Sequence, residues 1–364
     1  VDVIKFHFND RNPTYEEVFK ETKIIPLETN ANCLVSEITQ MEVMDDKIFI
    51  LDWKLNSLLV FNIHGKFLNR IGTVGRGPGE YIRPRHFFIN KDEALVKVFD
   101  APTMKLMCFN YNGTLIKEIK LNYYLTAIGD LPTGGYWGYC SNVANDTDSS
   151  KEYLKFITFK PNGEVNQFVD GIKNPDRVNY TNTYISCVAD GSVSFVEPYL
   201  PNIYWLKDGE IVTKYKIDYS GHFLSNKMLK KVEDIKPPIK GSKRKLLDII
   251  NRDYANKFMR FFENDDWLVL VSFYKGTSLF YNKKSKKSHE FSKYLFSELT
   301  SNIYFIKCKF LSGSSIYSEC SQGDIKSLLK SQNKTDKQKE SLNKMLESRN
   351  PEDNPLIIKY VINE

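Results

Sequence analysis

The sequence predicts an all-β fold, a six-bladed β-propeller with helical insertions. Three observations predict it: a repeated four-strand unit, a glycine-rich crossing between two copies of that unit, and a strand-like segment at each end with no local partner. In the repeat, Asp52 matches Asp100, Phe61 matches Phe109, Gly65 matches Gly113 and Ile71 matches Ile119, each pair 48 residues apart. Fainter copies place Gly163 a further 50 residues on and Gly209 another 46 beyond it. Asn-Gly or Asp-Gly separates the third and fourth strands of the later copies, the chemistry of a tight hairpin that needs positive φ. A lone four-stranded sheet cannot bury both faces, whereas stacked blades can.

Each element follows from this unit. Blade one reads as strands near 35–44, 47–52, 58–62 and 66–71, and blade two as 86–91, 94–100, 105–111 and 114–121. Blades three and four cover about 123–170 and 181–218. Blade five is carried by 258–262, 267–271, 278–281 and a strand near His289. Blade six has 303–306, 315–317 and 356–362 and lacks a fourth strand. Lys23–Glu28 supplies it, so the chain ends close the ring and remove an open sheet edge. Residues 1–22 then read as an N-terminal leader, and 23–364 as one domain. Two polar, poorly alternating stretches, 218–254 and 321–350, read as helical insertions, with Ser225 an N-cap ahead of Met228, Leu229 and Val232. Without the leader and insertions, six blades average about 46 residues each, inside the usual range for such repeats.

The crossing Ile71–Tyr81 packs four glycines and a proline between two strands. It lacks the Gly-Lys-Ser/Thr ending of a phosphate loop, and no helix pattern follows it. Its glycines suit a sharp turn near the axis. Its functional reading is that Arg76, Glu80, Tyr81, Arg83 and Arg85 overhang the channel mouth. Arg76, Glu80, Tyr81 and Arg83 are then the expected ligand contacts, since an arginine fork and an aromatic face suit a carboxylate, phosphate or sugar. Asp52, followed by Trp53, and Asp100 end second strands, where a carboxylate caps a turn.

The order Ile-Pro-Leu-Glu (25–28), Arg-Ile-Gly (70–72), Gly-Arg-Gly-Pro-Gly-Glu-Tyr (75–81) and Asp-Asn-Pro-Leu-Ile-Ile (353–358) resembles the six-bladed propeller family of Bacteroidetes cell-envelope proteins, distantly similar to NHL-repeat propellers. The resemblance spans nearly the whole chain, and the Gly-Pro-Gly-Glu-Tyr core carries most of it. The sequence departs in Thr73-Val74 ahead of Gly75 and in Arg76 after it, where a Lys-Gly-Gln type of run is more usual. The resemblance implies a fold, export to the periplasm or outer membrane, and a lipoprotein anchor on a cysteine ahead of Val1. It implies no catalytic site.

Composition narrows the class. Tyr and Phe number 21 and 24, which suits blades packed through aromatic side chains. A net charge of +6 with both signs numerous does not argue for nucleic acid. The basic runs Lys227–Lys245 and Lys283–Lys287 read as solvated surface, or as contacts for lipid headgroups or an acidic polysaccharide. Six cysteines, none in a CxxC, are too few for a disulfide scaffold and read as buried thiols. No apolar stretch approaches the ~20 residues of a membrane helix. His7, His64, His86, His222 and His289 show no metal-ligand spacing, no Gly-x-Ser-x-Gly elbow occurs, and Asn145–Asp148 lacks the glycine and distal glutamate of a calcium loop. The expectation is a monomeric, non-catalytic binding propeller with no cofactor or metal, taking an anionic or carbohydrate-like ligand or an envelope protein. An axial enzyme of lactonase-like or cyclotransferase type and a scaffold of an envelope complex are the alternatives.

Overall fold

The computed structural model describes residues 1–7, 13–140, 154–170, 185–187, 192–197, 200–225, 227–228, 231, 241–253, 258–272, 277–292, 307–330 and 336–364. Six antiparallel sheets form the blades. Blade one runs Gln40–Met44, Lys47–Asp52, Ser57–Asn62 and Phe67–Arg70 from inner to outer strand. Blade two is Pro84–Asn90, Leu95–Asp100, Lys105–Asn110 and Leu115–Lys120. Blade three is Ala127–Asp130, Tyr136–Tyr139, Leu154–Phe159 and Val165–Asp170. Blade four is Ile185–Cys187, Val193–Val196, Asn202–Lys207 and Glu210–Asp218, and blade five is Phe258–Glu263, Trp267–Ser272, Thr277–Asn282 and Ser288–Ser292.

Blade six is Cys308–Ser312, Ser315–Cys320, Leu356–Ile362 and Phe19–Pro26. Its inner strand lies just after the expected 303–306, which falls outside the described residues. The ring closes as the sequence predicts: Ile24, Ile25 and Pro26 pair with Ile358, Ile357 and Leu356. The closing strand starts earlier than expected, at Phe19.

The leader expectation is corrected here. Asp2–Lys5 adds a fifth, parallel strand to the outer edge of blade four, in register from Asp2 with Tyr215 to Lys5 with Asp218. Phe6 then stacks on Tyr219 at 5.0 Å, and the His7 N–H donates to Glu290 Oε2 of blade five at 2.7 Å. The segment therefore fastens two blades together. Its alternation was too short to read as a strand, because a parallel edge partner leaves no local signal.

The core is divided among the six blade interfaces. Ile48 and Ile50 of blade one face blade six, while Phe49 and Leu51 of the same strand face blade two. This is why the second strands read as continuous apolar runs: both faces are covered. Each such buried side chain contributes about 1.5–3 kcal/mol. Gly65 and Gly113 occupy equivalent hairpins, both at φ 85°. A Cβ on Gly65 would collide with Pro26 O, and one on Gly113 with Arg70 O, each on the outer strand of the preceding blade. Glycine is thus needed twice over, for the left-handed turn and for close stacking.

The insertions are helical where described: Ser242–Asp253, Gln322–Lys330 and Asp336–Glu347. Ser225 Oγ accepts from Met228 N at 3.4 Å, while Leu229 and Val232 lie outside the described residues.

Candidate functional site

The antiparallel order places the crossings between blades and the turns between second and third strands at one end of the ring. Among the described residues the opposite end carries short hairpins and the helix Tyr15–Val18 that leads into the closing strand. The described helices of the insertions leave from the first end, since 219–257 joins blades four and five and 321–355 joins the second and third strands of blade six.

At this end buried aspartates latch the crossings. The Asp52 carboxylate accepts from Ser36 N and Glu37 N at 2.6 and 3.0 Å, and from Lys54 N and Leu55 N at 2.8 and 3.0 Å. The Asp100 carboxylate accepts from Ile82 N, Arg83 N and Thr103 Oγ1 at 3.1, 2.7 and 2.6 Å. Both are fully buried, as turn-capping carboxylates tied to backbone amides. Asn354 of blade six adds to the hold on the crossing into blade one. Its Nδ2 donates to Glu28 O and Cys33 O at 2.7 and 2.6 Å, and its Oδ1 accepts from Val35 N at 2.7 Å.

The glycine-rich crossing forms a self-supported flap. Thr73–Val74 pairs in parallel with Glu80–Tyr81. The Glu80 carboxylate accepts from Gly77 N at 2.7 Å, and a Cβ on Gly75 would collide with it. The Tyr81 ring is wholly buried between blades one and two, and its hydroxyl donates to Ile71 O at 3.0 Å and accepts from Leu58 N at 3.3 Å. Burial pushes that phenol up to about 12. Glu80 and Tyr81 therefore shape the flap from within, and Tyr81 presents no surface to a ligand. The flap leans outward, since Gly79 packs beside Leu115 of blade two's outer strand. Arg76 and Arg83 are exposed. Arg76 rides on the flap, and Arg83 sits beside the inner strand, where its N–H meets the Asp100 latch.

Arg85 follows at the start of that inner strand. Its guanidinium lies over the Trp53 ring at 3.9 Å, and its carbonyl accepts from Trp53 Nε1 at 3.0 Å. Among the described residues no carboxylate pairs with Arg76, Arg83 or Arg85.

Sequence reading missed what the inner strands do with their polar side chains. Gln40 clamps Phe87 of the next blade, donating to its O at 2.6 Å and accepting from its N at 3.2 Å. His86 Nδ1 accepts from Ile128 N at 3.4 Å, Ser186 Oγ bonds Glu263 N and O at 2.8 and 2.9 Å, and Arg260 Nε donates to Cys308 O at 3.1 Å. Each satisfies the open edge of the neighbouring inner strand. Burial pushes His86 down to about 3, with Arg85 adding to the shift, and pushes Glu42 up to about 8 against hydrogen bonds from Ile89 and Gln40. Burial thus favours the neutral form of each.

The remaining candidates resolve differently. The Lys283–Lys287 run is partly neutralised: Lys283 pairs with Glu263 at 3.0 Å and Lys286 with Asp2 at 3.3 Å. His289 Nε2 meets Asn363 O at 3.0 Å. Cys33, Cys108, Cys140, Cys308 and Cys320 are buried free thiols. Asn145–Asp148 and most of Lys227–Lys245 lie outside the described residues.

The chain matches the sequence family described as Domain of unknown function (DUF4934) over residues 2–361. No curated protein matches it. Among solved structures it is similar to a "Putative exported protein" of Bacteroides fragilis, at 20% identity, with 100% of both chains covered and a TM-score of 0.75. It is also similar to a member of the DUF4221 family from Bacteroides vulgatus, at 12% identity, with 95% of this chain and 98% of that chain covered and a TM-score of 0.54. Both likenesses are of fold.

Proposed function

We propose that this chain, which belongs to the family of domains of unknown function DUF4934, is a non-catalytic binding propeller of the cell envelope. Its working face is the end carrying residues 72–85, and its ligand is anionic or carbohydrate-like. One observation carries this reading: Arg76 and Arg83 stand exposed, without carboxylate partners among the described residues, on the end that also bears the insertions. Unneutralised guanidinium groups favour planar oxyanions. Glu80 and Tyr81 take part by holding the flap that presents Arg76. The hydrogen bonding of Gln40, His86, Ser186 and Arg260 to neighbouring blades supports binding over axial chemistry, because those groups are already engaged. The exported-protein name of the Bacteroides fragilis fold neighbour supports the envelope assignment.

The test is a thermal-shift screen of the full chain against D-glucuronate, D-galacturonate, inorganic phosphate and neutral D-glucose. The acids should raise the melting temperature, and the Arg76→Ala/Arg83→Ala double variant should lose that rise while melting like the wild type without ligand. No rise with any of the four, or an undiminished rise in the double variant, would contradict the reading.

A further inference from the structure

The inner strand of blade two is irregular where it meets the mouth. His86 pairs with Phe99 and Pro84 with Asp100, so Arg85 is the extra residue of a β-bulge. A bulge takes its residue out of the ladder and re-aims the side chain. Here it lays the guanidinium on Trp53, which belongs to the turn after blade one's second strand. Stacking fixes the plane of the fork but supplies no hydrogen-bond acceptor. The Nε–H is buried and has no hydrogen-bond partner among the described residues.

The inner strand of blade six provides a contrast. It too carries a cation at its bulge, Lys309, and Glu319 on the adjacent strand pairs with it at 3.1 Å. Blade two offers Arg85 no such carboxylate: the residue before its latch aspartate is Phe99, whereas the residue before Cys320 is Glu319. Burial lowers the Arg85 pKa from its usual range, Tyr124 opposes that shift, and Arg83 adds to it. The charge at this bulge is thus stacked, partly desolvated and, among the described residues, left without an internal anion.

We propose that Arg85, braced on Trp53 and flanked by Arg83, is the anchoring residue of the mouth and binds the oxyanion of an acidic sugar. This rests on the binding reading above and gives it a specific seat. The fork matches a carboxylate or a phosphate ester in two parallel hydrogen bonds. Trp53 holds the guanidinium in place by stacking beneath it.

Isothermal titration of the full chain with D-glucuronate, glucose 6-phosphate and D-glucose tests this, together with Arg85→Gln, Arg85→Lys and thermal melts of each variant. The expected result is that at least one acid binds more tightly than glucose and binds more weakly as salt rises. Arg85→Gln should cost about tenfold or more in affinity with an unchanged melting curve. Arg85→Lys, which keeps the charge and loses the fork, should also bind more weakly than the wild type. The tighter acid names the source of the oxyanion, and either one supports the proposal. If Arg85→Gln and Arg85→Lys bind as the wild type does while Arg76→Ala/Arg83→Ala fails to bind, the seat lies on the flap and only this inference falls. If neither acid outbinds glucose on the wild type, this inference falls; if none of the three binds, the binding reading falls with it.

Discussion

Two crossings of this ring share one latch and differ in almost everything else. In the crossing into blade one, Ser36 and Glu37 give their amides to Asp52; in the crossing into blade two, Ile82 and Arg83 give theirs to Asp100. The first is then buttressed from outside, by Asn354 reaching over from blade six. The second is buttressed by its own flap, through Glu80 and Tyr81. Beyond the latch the first exposes Glu37, and Thr39 turns back to accept from Trp53 N at 3.2 Å. The second exposes Arg83 and aims the bulged Arg85 at Trp53. The lesson is a separation of roles. The carboxylate latch and its buttress belong to the fold, and the proposed binding reading assigns the charges carried just past the latch of blade two to the ligand.

The largest expected effect breaks the first buttress. Asn354→Ala would leave Val35 N, Glu28 O and Cys33 O without their buried partner, costing about 4 kcal/mol at ~1–2 kcal/mol per orphaned group. Urea unfolding should show that loss, while ligand binding to the folded chain should persist. A stability change within error would mean that the closing crossing is held by something else. A smaller loss should follow Gly113→Ala, about 2–3 kcal/mol from left-handed strain plus the clash with Arg70 O. Gly134→Ala has a similar φ but open space around it, and should cost only about 1 kcal/mol. Equal losses in the two would argue against the close inter-blade contact. Smaller again, Tyr81→Phe removes the hydroxyl that joins Ile71 to Leu58 and should cost about 1–2 kcal/mol. Binding should be unchanged, and a sharp loss of affinity without destabilisation would return Tyr81 to the ligand.

The repeat was legible because the signals that build a blade are local. Alternating or fully apolar strands, Asn-Gly and Asp-Gly hairpins and the 48-residue spacing all sit within one unit. Closure by Ile24–Pro26 was legible by elimination. Asp2–Lys5 was not, since its partner strand lies more than 200 residues away and pairs in parallel. The site was legible in part. The glycine pattern marked the crossing, but its composition could not tell a side chain that supports a flap from one that leaves it. Tyr81 and Arg83 are two residues apart, one fully buried and one exposed. Nor could the sequence show a bulge at Arg85, because a bulge depends on the register of two strands.

The smallest expected effect is a pH dependence inside the ring. Glu42 is raised from 4.5 to about 8 by burial, so the folded chain holds a proton that the unfolded chain has released. Stability from this group therefore falls as pH rises through that window. His86 acts in the opposite sense at lower pH: it is lowered from 6.5 to about 3, so its contribution rises with pH between those values. Glu42→Gln removes only the first effect. Its melting temperature relative to the wild type should climb between about pH 5 and about pH 8, and a flat difference would show that Glu42 ionises normally.

The most direct measurement of the separation of roles sets Asp100→Asn beside Arg83→Ala, comparing unfolding free energy and D-glucuronate affinity in the same buffer. Asp100→Asn should lower stability by about 2 kcal/mol, because a buried acceptor of three hydrogen bonds is weakened, and the chain that remains folded should still bind. Arg83→Ala should leave stability within about 0.5 kcal/mol of the wild type, as an exposed substitution does, and lose most of the affinity. Two variants that lose stability together, or an Arg83→Ala chain that binds as tightly as the wild type, would contradict the division of latch from ligand.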